Sequence, residues 1–150
     1  VASLHSELMG QGGRGKVQTS SYLEQLNKLL AASAPDHVTI FCEAEPGELQ
    51  AVQASALGMI VSEFVANSIK HAFAGDRAGE IRISLRRQEG GEGWLLECRD
   101  NGRGHNGAVS GADSTGLGRL LMATAAEQLS GRLSTDFSPE GALLRVCFRE

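Results

Sequence analysis

The side chains best suited to chemistry are concentrated in one short stretch of the sequence, from Glu63 to His71. Because an α-helix advances by about 100° per residue, Glu63, Asn67, Lys70 and His71 would lie on one side of a helix, opposite an apolar side. Asn67 offers a neutral oxygen to Mg²⁺, and Lys70 and His71 could contact phosphate oxygens. Glu63 could orient a water or accept a proton. The mixture suits a magnesium–triphosphate ligand, although a plain solvated helix face carries the same residue types.

A glycine-containing turn follows the apolar stretch Trp94–Cys98 and begins with Asp100. The sequence Asp-x-Gly-x-Gly, with glycines at Gly102 and Gly104, lets the backbone approach a flat ligand closely. The carboxylate of Asp100 could accept a hydrogen bond from an exocyclic amine such as that of adenine. A generic chain reversal would use the same residues, and this alternative stays open.

A second glycine segment, Ser114 to Gly118, stands directly before a predicted helix. Free backbone N–H groups and the helix dipole favour phosphate at such a place, and Thr115 could add a hydroxyl donor or cap the helix. An ordinary capped helix start is the alternative. The segment is not a Gly-x-x-x-x-Gly-Lys-Ser/Thr loop, and no Rossmann-type glycine motif follows a first strand.

The elements around these motifs follow from apolar periodicity and from turn residues. The order is helix, strand, helix, two strands, loop, helix and two strands, which predicts an α+β fold with two layers and one mixed sheet covered by helices on one face. The predicted helices are Val1–Met9, Ser20 or Ser21 to about Ser33, Gln53–Ala74 and Leu117–Ser130. The predicted strands are Val38–Glu43, Ile81–Arg86, Trp94–Arg99, Leu133–Phe137 and Leu143–Arg149. We also predict a linker at Gly10–Gly15 and a mobile loop at Asn101–Gly118.

Composition limits the class of protein. The 150 residues, with 41% apolar and 21% charged residues, are typical of one soluble domain. A net charge of −4 without a basic block gives no reason to expect nucleic acid or an acidic membrane as a partner. No apolar run approaches the length needed to span a bilayer. The three separated cysteines favour buried, reduced thiols in a cytoplasmic protein over disulfides or a zinc site.

The three motifs together resemble those of the GHKL ATPase superfamily. Glu63–Phe73 is similar to its N box, Asp100–Gly104 to its G1 box and Gly116–Gly118 to its G2 box. Finer features resemble the HisKA_2 and HWE-like sensor histidine kinases: the ending His71-Ala72-Phe73, the short segment between the G1 and G2 boxes, and the lead-in from Ala2 to Leu30. The resemblance implies a Bergerat-type fold over residues 16–150, and the end of a dimerisation helix with a linker over residues 1–15.

The resemblance also implies roles for individual residues. Asn67 would ligate Mg²⁺, and Asp100 would bind the adenine amine of ATP. Glu63 would be the base or water-orienting group, and Lys70 and His71 would lie near the phosphates. The remaining implied nucleotide contacts are Gly102 and Gly104 at the adenine, and Thr115, Gly116, Leu117 and Gly118 over the phosphates.

The implied reaction is transfer of the ATP γ-phosphoryl group to a histidine on a dimerisation helix, with a response regulator receiver domain as the next partner. The acceptor histidine is expected upstream of this chain, since His5 comes too late in the lead-in. One departure is Ala142, which follows Gly141 where the family commonly has threonine. Two alternatives stay open: a degenerate docking or phosphotransfer scaffold that no longer uses ATP, and an anti-sigma-type serine kinase with the same fold.

Overall fold

The computed structural model describes residues 15–73, 77–90, 92–102 and 116–149. Within these ranges the chain forms three α-helices, one π-helical turn and seven strands. In chain order they are β1 (Lys16–Gln18), α1 (Thr19–Ser33), β2 (Val38–Ala44), β3 (Glu48–Gln50), α2 (Ala51–Asn67), the π-turn (Ser68–Ala72), β4 (Gly79–Arg87), β5 (Trp94–Asp100), α3 (Gly116–Gln128), β6 (Arg132–Ser138) and β7 (Gly141–Phe148).

The main sheet has five strands in the order β2-β4-β5-β7-β6. Strands β2 and β4 are parallel, and the other neighbours are antiparallel. A parallel pair needs a long crossover, and the segment containing α2 provides it. The predicted two-layer α+β fold with a mixed sheet is confirmed. The sequence did not predict the small sheet of β1 and β3, whose strands have only three residues each.

One face of the sheet and the helices that cover it form the core. Ile81, Ile83 and Leu85 alternate along β4 and are almost fully buried, as the period of two predicts. Leu57 and Ile60 of α2 lie against this face and are also fully buried. Burial of each such side chain stabilises the fold by about 1.5–3 kcal/mol. The remaining polar side of α2 is therefore held at a fixed orientation over one end of the sheet.

Helix α1 begins at Thr19, so the predicted cap at Ser20 or Ser21 is wrong. Thr19 is fully buried, and its hydroxyl donates to the carbonyl oxygen of Glu45 at 2.6 Å. The helix start is thus fixed by a contact 26 positions away, which local capping rules do not anticipate. The predicted helix end near Ser33 is confirmed.

The long predicted helix Gln53–Ala74 is not α-helical throughout. The α-helical part ends at Asn67, and Ser68–Ala72 form a π-turn. A π-turn contains one more residue than an α-turn, and this alters which side chains face the sheet after Asn67. At its end the Phe73 ring packs on Gly79, where any side chain would overlap the ring.

Helix α2 and the π-turn together are apolar as well as long. Ala51–Ala72 has 22 residues, and an 18-residue window within it has a mean hydropathy of 1.2 and is 56% buried. By length and composition alone it could cross a membrane, so the expectation that no such segment exists is wrong. In this fold its apolar residues pack in the core, with Leu57, Ile60 and Val61 fully buried.

The three cysteines are free thiols, as predicted, but they differ in exposure. Cys98 is buried and Cys42 is half-buried, whereas Cys147 is exposed because it points to the uncovered face of the sheet. The expectation of three buried thiols is therefore wrong for Cys147. Burial raises the pKa of Cys42 to about 12 and that of Cys98 well above its usual range.

Candidate functional site

Asp100 is the centre of a buried polar cluster at the end of β5. Its side chain is 2% exposed. Its Oδ1 atom accepts hydrogen bonds from the backbone N–H groups of Gly102 and Ala142, both at 3.1 Å. Its Oδ2 atom accepts a hydrogen bond from the hydroxyl of Ser68 at 2.7 Å. We call these four residues, Ser68, Asp100, Gly102 and Ala142, the anchor cluster.

The anchor cluster holds the carboxylate in one orientation while leaving it acceptor capacity. An ionised carboxylate has about four acceptor positions, and three donors occupy this one. A further donor, such as an exocyclic amine, would find its acceptor already positioned. Burial strengthens such a hydrogen bond because water does not compete for it.

Sequence reasoning missed Ser68 as a site residue. Ser68 is 1% exposed, and its hydroxyl donates to Asp100. On the helical wheel it falls on the apolar side, five residues after Glu63. The signal that could have identified Ser68 was a hydroxyl at a core position of the helix, because a buried hydroxyl needs a hydrogen-bond partner.

Two glycines allow the backbone to close around Asp100. A Cβ atom at Gly102 would overlap the side chain of Ala72 and lie 2.6 Å from the Ala72 carbonyl oxygen. Gly141 has a φ of 147°, and a Cβ atom there would overlap the carbonyl oxygen of Asp100. Both positions exclude a side chain, so the turn after β5 and the start of β7 are packed directly against the cluster.

Asn101 fixes the direction in which the chain leaves β5. Its backbone N–H donates to the carbonyl oxygen of Glu80 at 3.2 Å. Its side-chain oxygen accepts from the Glu80 N–H at 2.8 Å. This pair of bonds continues the ladder to β4 by one residue beyond β5.

The predicted phosphate-contacting residues lie at the end of α2 and in the π-turn. Asn67 and Lys70 are exposed, while Glu63 and His71 are half-buried. The structure brings Glu63 close to Gly118: a Cβ atom on Gly118 would lie 2.9 Å from Glu63 Oε2. We call Glu63, Asn67, Lys70 and Gly118 the phosphate end of the site.

The second glycine segment is partly helical. Gly116, Leu117 and Gly118 form the first turn of α3, so the helix begins one residue before the predicted start at Leu117. A first helical turn carries N–H groups without intrahelical partners and the positive end of the dipole. Its position beside the Glu63 carboxylate is therefore electrostatically favourable. Gly104 and Thr115, also predicted site residues, lie outside the described residues.

The described part of the chain does not carry a metal site made by the protein alone. No group of three His, Cys, Asp or Glu side chains there is arranged to hold a metal ion. Mg²⁺ in nucleotide sites is bound through one or two protein oxygens together with phosphates and waters. The exposed amide of Asn67 fits that smaller requirement.

A family model described as "Histidine kinase-, DNA gyrase B-, and HSP90-like ATPase" matches residues 52–150. This range holds α2, the π-turn, the four main-sheet strands that follow them, and α3. It therefore contains both the anchor cluster and the phosphate end. No curated protein sequence matches the chain.

Solved structures share the fold at low sequence identity. The histidine kinase domain of the blue-light activated histidine kinase from Erythrobacter litoralis superposes with a TM-score of 0.78 at 17% identity, covering 97% of this chain and 74% of that one. A longer chain of that kinase is covered over only 45% of its length. The mycobacterial sensor histidine kinase MprB gives a TM-score of 0.71 at 14% identity, covering 91% of this chain and 97% of that one.

Proposed function

Because this chain belongs to the family of histidine kinase-, DNA gyrase B- and HSP90-like ATPases, we propose that it is the ATP-binding catalytic domain of a bacterial two-component sensor histidine kinase. The observation that carries the proposal is the anchor cluster, in which three donors of the described residues hold a buried carboxylate that has about four acceptor positions. The subgroup we propose is the HisKA_2 and HWE-like kinases, on the resemblance of the motifs.

The adenine ring of ATP binds at the anchor cluster in this proposal. Its exocyclic amine donates to Asp100, and Gly102 and Gly104 shape the adjoining pocket. Ala142 replaces the family's threonine, but its backbone N–H donates to Asp100 at 3.1 Å and the Ser68 hydroxyl donates at 2.7 Å. Asp100 therefore has these two hydrogen-bond donors even though the threonine hydroxyl is absent.

The triphosphate extends from the anchor cluster toward the phosphate end. Asn67 would ligate Mg²⁺, which neutralises charge on the phosphate oxygens. Lys70 and His71 add positive charge or a hydrogen-bond donor, and the first turn of α3 adds N–H groups from Gly116 to Gly118. Glu63 accepts a proton or orients a water. Catalysis of this kind depends on positioning and charge neutralisation.

The acceptor in this proposal is a histidine on a dimerisation helix outside this chain. The phosphoryl group would then pass to a response regulator receiver domain. We place the reaction in the cytoplasm, without contact between this domain and a membrane or nucleic acid. The comparison with longer kinase chains supports a partner domain, because a chain of the Erythrobacter kinase extends well beyond the matched part.

Thermal unfolding with increasing Mg·ADP tests nucleotide binding. A ligand that binds only the folded state raises the unfolding temperature in proportion to the logarithm of its concentration. We expect this continued rise for the wild type and its loss in Asp100→Asn. An unchanged unfolding temperature at millimolar Mg·ADP would favour a scaffold that no longer uses ATP.

Phosphotransfer from labelled ATP to an added dimerisation-helix fragment tests the kinase activity. We expect label on the fragment's histidine, stable in alkali and lost in acid, and no label when that histidine is replaced by alanine. Label on a serine of another substrate would indicate the anti-sigma-type reaction instead. Nucleotide binding without any transfer to a folded helical fragment would contradict the kinase assignment.

A further inference from the structure

The face of the sheet opposite the helices carries a cavity that the nucleotide site does not use. Its volume is 420 Å³, within the usual range for binding sites. The lining side chains come from α1, β2, β4 and β5, and they include Asn27, Phe41, Glu43, Arg82, Arg86 and Arg99. Since side chains alternate along β5, Arg99 points to this outer face while Asp100 points to the anchor cluster.

Most arginines on the outer face have a carboxylate partner. Glu97 accepts a hydrogen bond from Arg145 Nε at 2.8 Å and lies 3.5 Å from Arg86. Arg82 lies 3.4 Å from Glu80 and stacks over the Phe41 ring at 4.5 Å. These three arginines therefore share two carboxylates, Glu97 and Glu80, within the sheet face.

Arg99 is the exception among the arginines that line the cavity. It is exposed and makes no ion pair with any other residue that the structure describes. In the register of β4 and β5 it stands directly opposite Arg82. Like charges at directly opposed positions of an antiparallel pair repel each other. Arg82 has Glu80 nearby, but Arg99 has no carboxylate partner among the described residues, and guanidinium groups bind carboxylates with two parallel hydrogen bonds.

Phe41 gives this cavity the character of a protein interface. Its side chain is 41% exposed beside Arg82, and exposed aromatics next to arginines are enriched where partner proteins bind. Strand β2, which carries Phe41, is also the terminal strand of the described sheet. A terminal strand offers backbone groups to an extended segment.

We propose that this cavity is a docking site for an extended acidic segment of a partner protein. A carboxylate of the segment lies between Arg82 and Arg99, and an apolar side chain two positions away, on the same side of the extended segment, lies on Phe41. Glu43 is in the same cavity, two residues along β2 from Phe41. The segment therefore carries a neutral or basic residue two positions beyond its apolar residue, because an acid there would face Glu43.

A designed peptide and matched variants test the proposal. The probe is the capped hexapeptide TETLTK, in which the acid, the apolar residue and the base are each two residues apart, followed by amide NMR shifts of the ¹⁵N-labelled protein at low salt. The control peptide is TQTLTK, without the acid. The matched protein variants are Arg99→Gln and Arg132→Gln; Arg132 is exposed on β6 and is not among the residues that line the cavity.

We expect saturable shifts on β2, β4 and β5 with the acidic peptide, at least about tenfold weaker binding of the neutral peptide, and a similar loss in Arg99→Gln. Arg132→Gln should bind as the wild type does. Equal binding of the two peptides, unchanged binding by Arg99→Gln, or no saturation at millimolar peptide would overturn the proposal. The proposal would also be overturned if inorganic phosphate, at matched ionic strength, gave the same shifts with the same affinity as the acidic peptide, because the cavity would then be a site for small anions. Mg·ADP is absent throughout, so failure here leaves the nucleotide proposal untouched.

Discussion

The two ends of the candidate site are built on different principles. At the anchor cluster, Ser68 and Asp100 are buried and hydrogen-bonded to each other inside the protein. At the phosphate end, Asn67 and Lys70 extend into solvent from the same helical segment. One end is therefore completed by folding, and the other is completed only by a ligand.

This difference separates stability from binding. A change in the anchor cluster should weaken folding and nucleotide affinity together, because the same hydrogen bonds serve both. A change at the phosphate end should weaken affinity alone, since exposed side chains contribute little to the free energy of unfolding. Four substitutions test this separation: three at or beside the anchor cluster, where stability should change, and one at the phosphate end, where it should not.

Gly141→Ala should have the largest effect. A Cβ atom there would overlap the Asp100 carbonyl oxygen, and the φ of 147° is strained for alanine. We expect the free energy of unfolding to fall by at least about 3 kcal/mol in urea titrations. Gly90→Ala is the matched control, because Gly90 also has positive φ, 97°, but has open space around it. If both variants lose the same stability, the overlap with Asp100 contributes nothing.

Asp100→Asn should keep the fold but lose the nucleotide. The asparagine oxygen can still accept from Gly102 and Ala142, and the Ser68 hydroxyl can turn to accept from the new amide. We expect a loss of about 1–2 kcal/mol in stability, and an affinity for Mg·ADP about 100-fold lower by calorimetry, because a charged acceptor for the amine is gone. If Asp100→Asn bound Mg·ADP with wild-type affinity, Asp100 would not be part of the nucleotide site.

Ser68→Ala removes one donor from Asp100 and leaves the backbone donors in place. The loss of one hydrogen bond to a buried charge should cost about 1.5–3 kcal/mol in stability and roughly tenfold in Mg·ADP affinity. Ser68→Thr is the conservative comparison, since it keeps the hydroxyl. A fall in stability with unchanged affinity would show that folding and binding are not linked at this residue.

Asn67→Ala should leave stability within about 0.5 kcal/mol of the wild type, because Asn67 is exposed. Its effect should appear when ADP binding is measured with Mg²⁺ and again with EDTA. We expect the gain in affinity from Mg²⁺ to be reduced several-fold in the variant, with metal-free affinity unchanged. If Asn67→Ala strongly lowered the free energy of unfolding, the phosphate end would contribute to stability as the anchor cluster does, and the proposed difference between the two ends would be wrong.

The sequence was sufficient for those features that depend on local periodicity. Alternation along Ile81, Ile83 and Leu85 predicted a strand, and helical spacing predicted that Asn67 and Lys70 lie away from the core. Asp100 was identified because a polar residue ended an apolar strand. The sequence also predicted the two-layer architecture from the order of these elements.

The missed features depend on contacts between distant residues. The start of α1 at Thr19 is fixed by a hydrogen bond to Glu45, and Asp100 receives a backbone donor from Ala142, 42 positions away. The short strands β1 and β3 stabilise one another by pairing and are too short to show a period. The helical wheel places Ser68 on the apolar side, but its partner Asp100 lies 32 positions away, for which single-sequence rules give no signal.

The π-turn gives the helix one residue more than regular winding would need. A π-turn has the geometry of an α-helix with one residue inserted, and its wider turn absorbs that residue. Deleting a single residue between Ser68 and Ala72 would therefore restore regular winding and keep Phe73 in nearly the same direction relative to Asn67, whereas inserting one would rotate Phe73 by about 100°. After an insertion the aromatic ring would leave Gly79, and the chain would enter β4 from a different direction. This segment should therefore tolerate the loss of one residue better than the gain of one.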